Sequence, residues 1–109
     1  MKRIAIIGST GSIGTQALDV IKSNYANFGV VALASHKNDA LLSEQLSMFG
    51  VKMACLYDRE ASSRLKARER GVTVLSGDQG LIEIANLDMD LLLVAGNGPS
   101  MIEPTFEAL

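Results

Sequence analysis

Residues 3–14 of the chain read RIAIIGSTGSIG, an apolar run that passes into three glycines spaced three residues apart. The run 3–7 has the length and composition of a strand that is buried on both faces. Residues 12–23 then show helical spacing. The predicted apolar stripe of that helix consists of Ile13, Ala17, Val20 and Ile21. We therefore predict a strand, a tight turn and a helix in direct succession.

The rest of the chain repeats this alternation of strand and helix. Further strands are predicted at 30–34, 52–56, 72–75 and 90–95. The helices between them are predicted from a cap at Asn38 or Asp39 to Gly50, from the cap Asp58 to before Gly71, and at 78–86. Strands joined by helices of this length imply right-handed crossovers. The predicted fold class is α/β: a Rossmann-like, doubly wound, mostly parallel sheet with helices on both faces.

Size and composition limit the classes of protein. The 109 residues suffice for one domain, predicted to span 1–109. The last predicted helix begins near Met101 or Pro104 and reaches Leu109 without a stop signal, so we expect a fragment of a longer protein. The net charge is −2 without a basic stripe, which argues against nucleic acid, and the apolar runs are too short to span a bilayer. The single cysteine, Cys55, allows no internal disulfide and is predicted to be a small buried hydrophobe.

The glycine turn has the features of a phosphate-binding loop. Gly8 allows a tight turn, Gly11 allows a diphosphate to approach the backbone, and Gly14 lets the helix pack on the strand. The first amides of the helix have no internal partners, and the helix dipole favours an anion there. Additional hydroxyl donors are expected from Ser9, Thr10 and Ser12. The alternatives are a loop that only turns the chain and a Walker-type loop, which is disfavoured because no Gly-Lys-Ser/Thr follows.

The end of the second predicted strand indicates which nucleotide binds. An NAD site usually carries an acid about twenty residues beyond the turn, but the sequence from Ala34 has no acid before Asp39, which we assign to a helix cap. Lys37 offers a positive charge to a 2′-phosphate, with Ser35, His36 and Asn38 as hydrogen-bonding neighbours. We therefore predict NADP(H) over NAD(H). The alternatives are a solvated loop lysine and an exposed turn histidine; a histidine-rich metal site is excluded because the chain has one histidine.

These residues resemble a known family. The run 2–21, with GSTGSIG followed by Leu18-Asp19-Val20, is similar to the start of the 1-deoxy-D-xylulose 5-phosphate reductoisomerases. The resemblance continues at 30–34, 37–38, 74–77, 80–81, 90 and 104–105, and so covers essentially the whole chain.

The resemblance implies an activity and a set of partners. The family isomerises and reduces 1-deoxy-D-xylulose 5-phosphate to 2-C-methyl-D-erythritol 4-phosphate in non-mevalonate isoprenoid biosynthesis. It uses NADPH and Mg²⁺ or Mn²⁺, acts as a homodimer and is cytoplasmic in bacteria or located in plastids. Its metal and substrate ligands lie beyond this chain, so we expect the 109-residue chain alone to be inactive.

The resemblance also implies site residues. Positions matching Thr10, Gly11, Ser12 and Ile13 contact the diphosphate region, and those matching His36, Lys37 and Asn38 contact the 2′-phosphate region. The complete predicted cofactor site comprises Gly8, Ser9, Thr10, Gly11, Ser12, Ile13, Gly14, Ser35, His36, Lys37, Asn38 and Gly98. No catalytic or metal-binding residue is predicted within the chain.

Two departures from the family pattern stand out. His36 occupies a position where the family usually has glycine, and the loop 96–101, expected near the nicotinamide, keeps only Gly98 of the family's glycines and alanines. Two other functions remain open at this point: the NADP-binding domain of another dehydrogenase, and a non-catalytic nucleotide-sensing module. A domain that has kept the fold but lost its affinity is a third alternative.

Overall fold

The structure, a computed structural model, describes residues 2–95. Its strands are β1 (Lys2–Ile7), β2 (Phe28–Ser35), β3 (Met53–Leu56), β4 (Thr73–Ser76) and β5 (Leu91–Val94). Its α-helices are α1 (Ser12–Ser23), α2 (Asp39–Phe49), α3 (Arg59–Arg68) and α4 (Gly77–Ala85). A short 3₁₀ turn, Tyr25–Asn27, precedes β2. The predicted last helix and Gly98 lie outside the described residues.

The strands form one parallel sheet in the order β4-β3-β2-β1-β5. The chain moves from β1 outward to β4 and then returns to the other side of β1, so the strand order reverses between β1 and β5. This confirms the α/β, doubly wound prediction. In such sheets the crevice at the carboxyl ends of the strands, at the point of reversal, is the usual ligand site.

Alternate residues of the strands point to opposite faces of the sheet and contribute to two hydrophobic cores, one on each face. Ile4 and Ile6 of β1 face α1, α2 and α3, where Leu18, Ile21, Leu42, Leu46 and Leu65 are also buried. Ala5 and Ile7 face α4, which contributes Leu81 and Ile84. Helices therefore cover both faces, as predicted from the alternation of elements.

The face under α4 is lined by small side chains, including Cys55. A Cβ placed on Gly80 of α4 would lie 2.7 Å from the Cys55 sulfur and 2.9 Å from the Leu75 Cβ, so the helix rests directly on the sheet. Burial, with a smaller contribution from the Glu83 carboxylate, raises the pKa of the Cys55 thiol to about 12. The prediction that Cys55 is a buried hydrophobe is confirmed.

Two predictions are wrong in detail: the buried face of α1 and the start of β2. The buried side of α1 is formed by Gly14, Leu18 and Ile21, whereas Ile13 and Val20 are 59% and 62% exposed. The reason is that Gly14 must face the turn that precedes the helix, which rotates Ile13 outward. In addition, β2 begins at Phe28, two residues before the predicted start, where it pairs with Lys2. Within 2–95 no helix combines the length and apolar character needed to cross a bilayer.

Candidate functional site

The glycine turn lies at the carboxyl end of β1, beside the end of β2. Gly8 has a φ of 91°, a backbone angle that residues with a side chain rarely adopt. The amides of Gly8 and Ser9 donate to the Ala34 carbonyl at 2.7 and 3.0 Å. The Gly11 amide closes the turn on the Gly8 carbonyl at 3.3 Å. The turn is therefore anchored to β2 before α1 begins, and the predicted role of Gly8 in a tight turn is confirmed.

The amino terminus of α1 is open to an anion. Its N-cap residue is Gly11, which has no side chain to accept from the first amides, and the first turn of this helix contains no acidic residue. The partial positive charge of the helix terminus is therefore not offset by a neighbouring carboxylate within α1. The amides of Ser12, Ile13 and Gly14 start the helix at this position. This geometry fits a phosphate group.

Gly11 and Gly14 serve different purposes. A Cβ on Gly14 would lie 2.1 Å from the Gly8 carbonyl oxygen and 2.7 Å from the Ser9 Cα, so no side chain fits there. A Cβ on Gly11 would meet no atom closer than the Gly8 carbonyl oxygen, at 3.7 Å. Gly14 is required for packing, as predicted, whereas a side chain at Gly11 would meet no close contact.

Ser9 does not offer its hydroxyl to a ligand, contrary to the sequence-based expectation. Its side chain is fully buried and donates to Gln45 Oε1 at 2.8 Å, while Gln45 Nε2 donates to the Ser9 carbonyl at 2.9 Å. Gln45, on α2, thus holds the turn by two reciprocal hydrogen bonds, and it is itself only 5% exposed. Gln45 was not predicted as a site residue; the available signal was a polar residue next to Leu46 on the apolar face of α2.

Thr10 and Ser35 form a second tie between the turn and β2. Their hydroxyl groups hydrogen-bond to each other, and Ser35 is 2% exposed. The expectation that Ser35 presents its side chain to the nucleotide is therefore wrong, because that side chain is buried against the turn. Its position links the diphosphate region to the residues that follow β2.

The three residues after Ser35 are exposed at the carboxyl end of β2. Asn38 is the N-cap of α2 and accepts from the Leu41 amide at 3.1 Å. The His36 ring packs against the Tyr57 ring, with centroids 5.6 Å apart and planes tilted by 56°. Tyr57 follows β3 and was not identified from the sequence. Lys37, next to His36 in the chain, is exposed.

Asp39, which the sequence offered with Asn38 as a possible N-cap of α2, is not the N-cap. It is the first residue of α2, is 8% exposed, and accepts hydrogen bonds from Arg64 and Arg68 of α3. The pKa of Asp39 is held below its ordinary value mainly by the hydrogen bond from Arg64. A negative charge therefore lies two residues from Lys37, enclosed by two guanidinium groups.

The structure brings the two predicted halves of the site to one end of the sheet. The glycine turn 8–14 and the segment 35–38 both lie at the carboxyl ends of neighbouring strands, linked by hydrogen bonds through Ala34 and Ser35. Residues 2–95 contain no group of three or more histidine, cysteine or carboxylate side chains that could hold a metal ion. A glycine turn at the point of strand reversal, followed by an uncapped helix, defines a dinucleotide-binding domain of the Rossmann type.

Comparison with known proteins identifies the family. The model of the family described as 1-deoxy-D-xylulose 5-phosphate reductoisomerase matches residues 4–109, and the chain belongs to this family. A reductoisomerase from Thermoanaerobacter sp. (strain X514) is 42% identical over 110 residues, which cover 100% of this chain and 29% of that protein. A chloroplastic reductoisomerase from Mentha piperita is 38% identical over 113 residues, 99% of this chain and 24% of that protein. The sequence resemblance is thereby confirmed, and a different dehydrogenase is not supported.

Solved structures of the family share the fold. The reductoisomerase from Zymomonas mobilis in complex with NADPH superposes with a TM-score of 0.91 at 28% identity, over 98% of this chain and 29% of that one. A reductoisomerase in complex with NADPH, fosmidomycin and magnesium gives a TM-score of 0.87 at 28% identity, over 99% of this chain and 28% of that one. The chain thus spans less than a third of the length of the relatives it matches.

Proposed function

We propose that this chain binds NADPH and forms the cofactor-binding part of a longer reductoisomerase. The observation that carries the proposal is the open amino terminus of α1, which follows a glycine turn at the point of strand reversal. The glycines fit a bound diphosphate: the space beside Gly11 is free, while the tight contact at Gly14 sets the helix against the turn. NADPH-bound relatives of the same fold support the assignment.

Each part of the site has a task toward the nucleotide. The amides of Ser12 and Ile13 would donate to the diphosphate, and Gly11 would let it approach the backbone. Lys37 provides the charge that favours a 2′-phosphate over a hydroxyl. The His36 and Tyr57 rings pack against each other at the ends of β2 and β3. They would contact the adenosine.

The reaction belongs to the longer protein. When bound, NADPH supplies the hydride that reduces the rearranged 1-deoxy-D-xylulose 5-phosphate, and this chain orients the cofactor. Residues 2–95 contain no cluster of metal-binding side chains. Magnesium or manganese and the substrate would then be bound by other parts of the longer protein. The chain alone would then bind cofactor without turnover. A homodimeric, cytoplasmic or plastid enzyme is the corresponding proposal for the longer protein, in keeping with its bacterial and chloroplastic relatives.

A titration of the chain with NADPH and NADH tests the proposal. The chain has no tryptophan, so isothermal calorimetry or the fluorescence of the reduced nicotinamide is the suitable readout. NADPH should bind more tightly than NADH, and Lys37→Ala should weaken NADPH by about tenfold and NADH little, because only NADPH carries the 2′-phosphate. Lys52→Ala is the matched control, since Lys52 is exposed and precedes β3 at the opposite end of the sheet. Equal losses for both nucleotides in Lys37→Ala would contradict the assignment.

A further inference from the structure

Asp39 occupies a position that works against the proposed preference for NADPH. An acid near the end of the second strand normally selects NAD, because it accepts a hydrogen bond from the ribose 2′-hydroxyl and repels a 2′-phosphate. Asp39 is two residues beyond Lys37, and its amide donates to the Lys37 carbonyl at 3.0 Å. Two residues of chain span at most about 7 Å, so the backbone of Asp39 lies close to that of Lys37, the residue proposed to hold the 2′-phosphate.

Helix α3 neutralises this carboxylate. Arg64 donates through Nε and Nη2 to Asp39 Oδ1 at 3.2 and 3.1 Å, and Arg68 donates through Nη2 to Oδ2 at 3.2 Å. Both carboxylate oxygens are therefore engaged by guanidinium groups from adjacent turns of one helix. With one carboxylate enclosed by two guanidiniums, the cluster carries a net positive charge.

We propose that Arg64 and Arg68 determine the cofactor specificity of this site by acting on Asp39. They are positioning residues: they hold Asp39 away from the ribose and replace its negative potential with a positive one. The side chain of Asp39 is 11% exposed and both of its oxygens accept from arginines, so the carboxylate is not free to accept from a ribose hydroxyl. The inference rests on the proposed binding of NADPH and adds α3 to its determinants.

The test is the ratio of NADH to NADPH dissociation constants in the variant Arg64→Gln/Arg68→Gln. Loss of two positive charges from the cluster around Asp39 should weaken NADPH about fivefold at low ionic strength and leave NADH within about twofold. The loss should shrink as salt is added. Adding Asp39→Asn to this variant should restore the ratio, since the unpaired carboxylate is then gone.

Arg3→Gln is the matched control. Arg3 also pairs with an aspartate, Asp88 at 3.1 Å, but it lies at the amino end of β1, away from the proposed site. This variant should leave the ratio unchanged. Melting temperatures of all variants separate loss of fold from loss of selectivity.

The outcomes distinguish the inference from the proposed function. If the unaltered chain binds neither nucleotide, the proposed function fails. If it prefers NADPH and Arg64→Gln/Arg68→Gln keeps that preference, the inference is overturned. Should the double variant fail to fold, Asp39→Asn decides: it frees both arginines and should hold or raise the preference for NADPH, and a lowered preference would overturn the inference.

Discussion

Gly14→Ala is the substitution whose consequence the structure defines most closely. The new methyl would lie 2.1 Å from the Gly8 carbonyl oxygen and 2.7 Å from the Ser9 Cα, so α1 and the turn must separate by more than an ångström. Both contacts are with backbone, which cannot swing aside as a side chain can. Overpacking costs about 1–3 kcal/mol, and the upper end applies here, while the better helix propensity of alanine returns about 1 kcal/mol.

The expected net loss is about 2 kcal/mol, which lowers the melting temperature by about 10 °C in a domain of this size. Gly11→Ala is the matched comparison, because its methyl meets nothing closer than 3.7 Å and its φ of −78° suits alanine. That variant loses at most about 1 kcal/mol of stability through the weaker N-cap. It should nevertheless bind NADPH about tenfold or more weakly, because its methyl occupies the approach of the diphosphate.

Thermal unfolding followed by circular dichroism, together with calorimetric titration of NADPH, checks both variants. Gly14→Ala should show the larger loss of stability, and Gly11→Ala should show a loss of affinity that its stability does not account for. The reasoning is refuted if Gly14→Ala melts within about 2 °C of the unaltered chain, or if Gly11→Ala binds NADPH normally.

Two further predictions concern α2. Gln45→Ala leaves the buried hydroxyl and carbonyl of Ser9 without their partner, so it should lower the free energy of unfolding by about 1–3 kcal/mol. It should weaken the binding of NADPH and NADH alike, because both contain the diphosphate. Gln79→Ala, at an exposed position, is the control, and a selective loss of NADPH binding would contradict this role. The pKa of Asp39 is below its ordinary 3.8, so its carboxylate stabilises the fold above that pH, and the contribution disappears as the pH falls through the lowered pKa. Melting temperatures of the unaltered chain and Asp39→Asn should therefore differ at neutral pH and converge in acid; a constant difference would count against the Arg64 interaction.

The sequence predicted the order and type of elements because each carries local signals. The bounds of α1 agree with the prediction of 12–23, and Asp58 and Gly50 cap their helices as expected. The prediction chose the wrong buried face of α1 because two faces of this helix carry apolar residues at helical spacing. One face contains Ile13, and the other contains Leu18. Hydrophobicity favoured the stripe with Ile13, but the close approach at Gly14 selected the other, and a hydrophobic pattern assigns no weight to a glycine.

The contacts that shape the site could not be predicted, because they join distant parts of the chain. Gln45 and Ser9 are 36 residues apart, and Arg64 and Asp39 are 25 residues apart. Periodicity shows which face of a helix is buried, but it does not show which polar side chain on another element meets it. The glycine turn and Lys37 could be proposed from the sequence because their chemistry is contained in short runs.

The hydrogen bonds that join the turn to Gln45 and Ser35 affect the free energy of ligand binding. A loop that is ordered by the fold has already lost its conformational entropy before any nucleotide arrives, so little of the binding free energy is consumed in freezing it. Affinity then depends on how faithfully α2 and β2 maintain that preformed shape. Changes in the interior of α2, such as the loss of Gln45, are therefore expected to alter binding although they lie outside the turn.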